Sequence, residues 1–106
     1  MTAEQHIESP TFLDADFALI CKGDSMINAR IFDGDIVYIR QQHTVENGEI
    51  AAVLIDGEAT LGRVWFSGSS TVIEPANPLY RSRVFHEEEK ISIIGKAIAF
   101  TSTIKS

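Results

Sequence analysis

The segment Gly23-Asp24-Ser25-Met26 puts a serine in a glycine-containing turn directly after the apolar run Ala18-Leu19-Ile20-Cys21. A serine so placed ordinarily satisfies turn backbone. To act as a nucleophile its hydroxyl needs a positioned base, because the neutral alcohol is weak. Histidine is one such base. His6, His43 and His86 fall in or near loop-like segments, and no Asp- or Glu-backed arrangement around Ser25 is legible. A buried lysine is the other, since burial disfavours the ammonium form and brings its pKa towards neutrality. Elsewhere the chain has no H-E-x-x-H, C-x-x-C, G-x-x-x-x-G-K-[ST] or G-x-G-x-x-G pattern, so neither a metal nor a cofactor is expected. Cys21 is the single cysteine. It excludes an internal disulfide, fits a reducing compartment, and reads as a buried, inert thiol.

The elements that must position Ser25 read as strands. From Phe12 onward, short apolar runs alternate with turn signals, an all-β pattern. Asp33-Gly34-Asp35 leads into Ile36-Val37-Tyr38-Ile39-Arg40, and Asn47-Gly48 into the nearly continuous apolar strand 49–55, expected to be covered on both faces. Asp56-Gly57 is a two-residue hairpin signal of type I′. It predicts antiparallel pairing of Ile50–Ile55 with Ala59–Phe66, with Ile55 facing Glu58 and Gly62 facing Ala51. Thr71-Val72-Ile73-Glu74 reads as a strand stopped by Pro75, and Pro75 to Pro78 as a loop. Ile91 to Phe100 reads as a last strand broken by Gly95. One helical turn fits at Met26 to Ala29. Trp65 and Phe66 are assigned to core or interface, and Arg81 and Arg83 to a solvated face. The acidic run Glu87-Glu88-Glu89 reads as a solvated loop.

Residues 1–11 are polar and read as an arm, and residues 12–106 as one domain, the number that 106 residues allow. With 44% hydrophobic and 23% charged residues the composition is that of a globular protein. Asp plus Glu number 15 against 9 Lys plus Arg, a net charge of −6. Such a domain is poorly suited to gripping a phosphate backbone by itself, which needs Lys and Arg. No apolar run is long enough for a membrane span, and no signal-peptide pattern opens the chain.

Four blocks fall in one order at one set of spacings: Gly23-Asp24-Ser25-Met26, Phe32-Asp33-Gly34-Asp35-Ile36-Val37, Asn47-Gly48-Glu49-Ile50 and Glu58-Ala59-Thr60-Leu61-Gly62-Arg63. Glu74-Pro75-Ala76-Asn77-Pro78-Leu79-Tyr80 and Ile94-Gly95-Lys96-Ala97 extend the series. Over roughly residues 15 to 100 the sequence resembles the C-terminal, self-cleaving domain of LexA and CI-like phage repressors. The resemblance implies an all-β fold of compact, multi-stranded antiparallel sheets with little helix, carrying a Ser–Lys dyad that cuts a peptide bond of its own chain. Ser25 would be the nucleophile, and backbone N–H groups near Asp24 and Ser25 would hold the oxyanion. The family's base lysine stands immediately before the arginine of the return strand, and here that position is Gly62. Lys22 is too close to Ser25 in sequence to copy the geometry. Lys90, Lys96 and Lys105 lie on segments matching other parts of the pattern. No efficient cleavage is therefore expected. Gly62 is then an inactivating substitution, introduced or natural, and a strand glycine also marks a bulge or close backbone approach.

The resemblance further implies a cytoplasmic homodimer, with Ile98-Ala99-Phe100 at or beside the contact and no membrane association. DNA would be contacted only through a helix-turn-helix domain outside this chain. A RecA–single-stranded DNA filament would prompt cleavage after DNA damage, and in some phage-type members other partners would. The family's scissile Ala-Gly or Cys-Gly dipeptide does not occur among the 24 residues before Ser25. A second reading is a translesion-polymerase accessory subunit like UmuD, which shares the fold and works through protein contacts. A membrane-bound signal peptidase, which also uses Ser and Lys, is disfavoured by the lack of an apolar span.

Overall fold

The computed structural model describes residues 14–102; the polar segment 1–11 lies outside them. At Asp56 and Gly57 φ is 50° and 83°. These are the two positive values a type I′ turn demands and the reason Asp-Gly suits it. The turn joins β3 (Ile50–Ile55) to β4 (Glu58–Ser67). Ile55 faces Glu58 and Ala51 faces Gly62, the expected register.

Around this hairpin lie β1 (Phe17–Ile20), β2 (Ile36–Gln41), β5 (Ser70–Glu74), β6 (Arg83–Phe85) and β7 (Ile91–Thr101). All seven strands form one antiparallel sheet in the order β1-β2-β7-β3-β4-β5-β6. The helical turn expected near Met26 is a single 3-10 turn over Ile27–Ala29. Strand β6 has no counterpart in the sequence reading, which left residues 79–90 without an element.

The expected break at Gly95 does not occur. Strand β7 runs through it with two bulges, one directly beside Gly95. Ala52 faces Gly95 but Val53 faces Ile93, which leaves Ile94 extra; Tyr38 faces Ala99 but Ile39 faces Ala97, which leaves Ile98 extra. An inserted residue bends a strand and increases its twist. Gly95 is required for a different reason: a β-carbon there would come within 2.6 Å of the Arg40 carbonyl oxygen. Strand β7 is also not an edge strand as a whole. Its residues 91–96 pair with β3 and 95–101 with β2, so only Ala97 to Thr101 lack a ladder on the β3 side.

Alternating side chains of the central strands fill two cores. One gathers Leu19, Met26, Ile31, Val37, Ile39 and Leu61, with Ala52 from β3. The other gathers Ala51, Val53 and Ile55 of β3 with Val64, Ile73 and Phe85. Strand β3 is thus covered on both faces except at Leu54, which is 37% exposed. Trp65 and Phe66 are not core residues, being 40% and 39% exposed. The Trp65 ring instead covers Gly48, and its Nε1 donates to Glu74 Oε1 at 3.1 Å.

Candidate active site

The turn that carries Ser25 is cast between two other segments. On one side, the Cys21 N–H donates to the Asp35 carbonyl at 2.8 Å and the Gly34 N–H to the Cys21 carbonyl at 2.8 Å, so the β1–β2 pairing continues past Ile20. The Gly23 N–H donates to Asp33 Oδ1 at 2.8 Å. Asp35, 3% exposed, accepts the Phe32 N–H on Oδ2 at 2.8 Å. The acidic residues of the 32–35 block therefore hold backbone rather than substrate.

On the other side stands the loop after Pro75. Asn77, 3% exposed, donates from Nδ2 to the Asp24 carbonyl at 2.9 Å and accepts the Leu79 N–H on Oδ1 at 3.0 Å. The Asn28 N–H donates to the Ala76 carbonyl at 2.7 Å. The Tyr80 hydroxyl donates to the Asp24 carboxylate, and that bond raises the Tyr80 pKa above its ordinary value. Asp24 thus anchors the turn through both its main chain and its side chain.

Ser25 is 6% exposed, and its Oγ has no hydrogen-bond partner among the described residues. It faces a cavity of about 240 Å³, shared with Thr60 and Leu61 of β4, Ile73 of β5, and Tyr80. An unpaired buried hydroxyl is costly in a folded protein and invites a functional account. Gly62 follows directly on Leu61. A β-carbon there would meet Ile73 Cγ2, so Ile73 fills the space that a side chain at 62 would enter.

No lysine or histidine among the described residues lines this cavity. Lys96 is ion-paired with Glu49 at 2.5 Å beside a different hollow bounded by Gln42 and Thr44. That bond to Lys96 holds the Glu49 carboxyl below the usual carboxylate range. Lys22 and Lys90 are exposed. His86 Nδ1 lies 3.3 Å from Ser70 Oγ, and His43 borders a hollow with Thr71 and Ile91. Lys105 and His6 lie outside the described residues. Burial first, then the charges of Asp35 and Asp33, push the Cys21 thiol up to about 11, which keeps it protonated and unreactive. Among the described residues no group of three His, Cys, Asp or Glu could hold a metal ion, and no helix is long and apolar enough to cross a membrane.

Two features of the site escape the sequence reading. Asn77 appears there only as a loop residue within a matched block; its partner is 53 positions away, and no local signal announces it. Arg81 and Arg83 are exposed, as a solvated face requires, yet both border the Ser25 cavity.

The all-β domain thus holds one buried, unpartnered serine beside a cleft, and the family match places it in the class of serine-peptidase-like domains. The chain is a member of the Peptidase S24-like family, whose model matches residues 2–98. It is 40% identical over 104 residues to the LexA repressor of Magnetococcus marinus, which covers 93% of this chain and 45% of that protein. To the LexA repressor of Thermotoga maritima it is 40% identical over 99 residues, covering 90% and 50% respectively. To that of Acidiphilium cryptum it is 45% identical over 84 residues, covering 78% and 36%. The chain spans about half the length of these relatives, or less, and corresponds to the LexA-like C-terminal domain.

Proposed function

We propose that this chain is the dimerising part of a LexA-like transcriptional repressor, in which Ser25 is a placed nucleophile that has lost its base. One observation carries the reading: the buried Ser25 hydroxyl has no partner, and no lysine among the described residues lines the cavity beside it; by the family resemblance, Gly62 on β4 stands at the lysine position. Self-cleavage requires removal of the hydroxyl proton as Oγ attacks a carbonyl carbon. Glycine cannot accept that proton. The other half of the machinery is consistent with the role, since the Ser25 N–H takes no acceptor among the described residues and is free to meet an oxyanion. Asp24 supplies the backbone on the other side of this turn.

The repressor role follows from assembly. Residues Ala97 to Thr101 have a strand neighbour only on the β2 side, and Phe100 is 40% exposed beside Ala97, Ile98, Ala99 and Ile50. A second copy of the chain covers this apolar edge in the reading proposed here. Two N-terminal DNA-binding domains tied together in this way bind an operator more tightly through effective concentration. The net charge of −6 suits a domain whose DNA contacts are made elsewhere. A RecA-type filament is the activator in this reading, and the cytoplasm its location.

The test uses the full-length repressor, which carries the bond to be cut. Gly62→Lys at alkaline pH, where lysine is neutral, yields two fragments; Gly62→Lys with Ser25→Ala yields none. Equal cleavage with Gly62 left in place means that the base is elsewhere. No cleavage by folded Gly62→Lys, alone or combined with Ile73→Leu, removes Ser25 from the nucleophile's role.

A further inference from the structure

Two guanidinium groups border the Ser25 cavity, those of Arg81 and Arg83. Both residues are exposed, which puts them at its rim. Among the described residues neither has a carboxylate within ion-pair distance; the ion pairs formed are Arg40 with Asp14 and Lys96 with Glu49. The Arg83 guanidinium carbon lies 4.9 Å from the centre of the Phe85 ring, a cation–π contact that fixes its position. Glu58 borders the same cavity and offsets one of the two positive charges, leaving the rim cationic. A cationic rim runs against the charge of the whole chain, −6, and is complementary to an anion rather than to the average surface of this protein.

The interior has a different chemistry. Leu61 and Ile73 give it apolar walls, and Ser25, 6% exposed with its Oγ buried, stands in its lining. Its volume of about 240 Å³ is that of roughly eight waters at ~30 Å³ each. That admits the side chains of a short extended segment and excludes a folded partner.

We propose that this cavity binds an acidic peptide segment. An apolar side chain of the segment packs between Leu61 and Ile73, and a carboxylate meets Arg81 and Arg83. Both arginines are thus specificity-determining residues of the cleft. The inference rests on the function proposed above in one respect, that the bound segment is held without being cut.

The probe is fluorescein-Val-Leu-Ala-Asp-Glu-amide, and its neutral twin ends in Asn-Gln-amide. Fluorescence anisotropy at low salt is expected to show the acidic probe binding about five- to tenfold more tightly, the scale of two rim charge pairs. Arg81→Gln with Arg83→Gln removes the preference, and because both residues are exposed the variant's unperturbed melting temperature certifies the fold. Equal affinities for the two probes, no binding of either at millimolar concentration, or an acid preference that survives the double Arg→Gln variant each overturn the proposal. Mass spectrometry of the recovered probe separates the two readings. A cut probe defeats the loss of the base and leaves acidic recognition standing, whereas an intact probe bound without acid preference defeats acidic recognition alone.

Discussion

A β-carbon placed on Gly62 would stand 2.7 Å from Cγ2 of Ile73, closer than β-carbons approach any neighbour in folded proteins. The β-branch of Ile73 occupies the first step of any side chain at position 62. Gly62→Ala is therefore expected to destabilise the domain by about 1–3 kcal/mol, the range for overpacking, although alanine removes the entropic cost of a strand glycine. Ile73→Leu moves the branch one carbon out and conserves volume, so it should recover most of that loss in urea denaturation. The same pairing should raise cleavage by Gly62→Lys in the full-length protein.

Asn77 ties the Ser25 turn to the loop after Pro75 by bonds of 2.9 and 3.0 Å. Asn77→Ala leaves the part-buried Asp24 carbonyl with only the Ile27 N–H at 3.4 Å, at a cost of about 1 kcal/mol. Asn77→Asp keeps the acceptor for the Leu79 N–H and removes the donor to Asp24, so it should be nearly as damaging. Urea midpoints at constant m-value measure both.

Phe100→Asp is expected to shift the assembly towards monomer in sedimentation at tens of micromolar, roughly the concentration at which a dimer of micromolar affinity is well populated. Leu79→Asp, at an 83% exposed position far from Phe100 in the sheet order, serves as the control and should leave the mass unchanged.

Cys21 gives the domain an alkaline limit. Its thiol has an ordinary value of 9.0 and a folded value of about 11. Above pH 9 the unfolded thiol loses its proton while the folded one keeps it, so the folded state binds more protons and stability falls as pH rises. The loss begins near pH 9 and continues to about pH 11, where the folded thiol ionises too. Unfolding free energies at pH 8 and pH 10.5 should differ by more in the parent than in Cys21→Ala. Tyr80, whose pKa is also raised, contributes to both slopes, so the difference between them isolates Cys21.

The β3–β4 hairpin was legible because its information is local. Asp56-Gly57 demands one turn, and the apolar runs on either side demand one register. Ser25 and Gly62 draw attention through block spacing, which requires no knowledge of contacts, and their roles rest on the cleavage test proposed above. What stayed hidden depends on distant partners. Strand β6 is three residues long with two exposed positions, too short to show a period. The rim arginines look like any exposed pair until Ser25 is placed beside them. Trp65 was assigned to core or interface from its type, but its ring finds cover over Gly48 at the surface, and its N–H reaches Glu74. Gly95 suggested a break because glycine often ends strands; here it permits β7 to lie against the Arg40 carbonyl.

The strand that joins β2 to β3 inside the sheet, β7, is the last to be synthesised among the described residues. Until Ile91 to Thr101 leaves the ribosome, β1 with β2 and the β3–β6 meander have no ladder between them, and β2 and β3 each offer a bare edge. The nascent chain thus carries two half-sheets that wait for one strand to zip them together. Bare edges of this kind recruit other chains. A ribosome stalled before Ile91 should hold a protease-sensitive, aggregation-prone chain, and a synthetic peptide spanning residues 88–102, added in trans, should rescue it by taking the vacant place between β2 and β3.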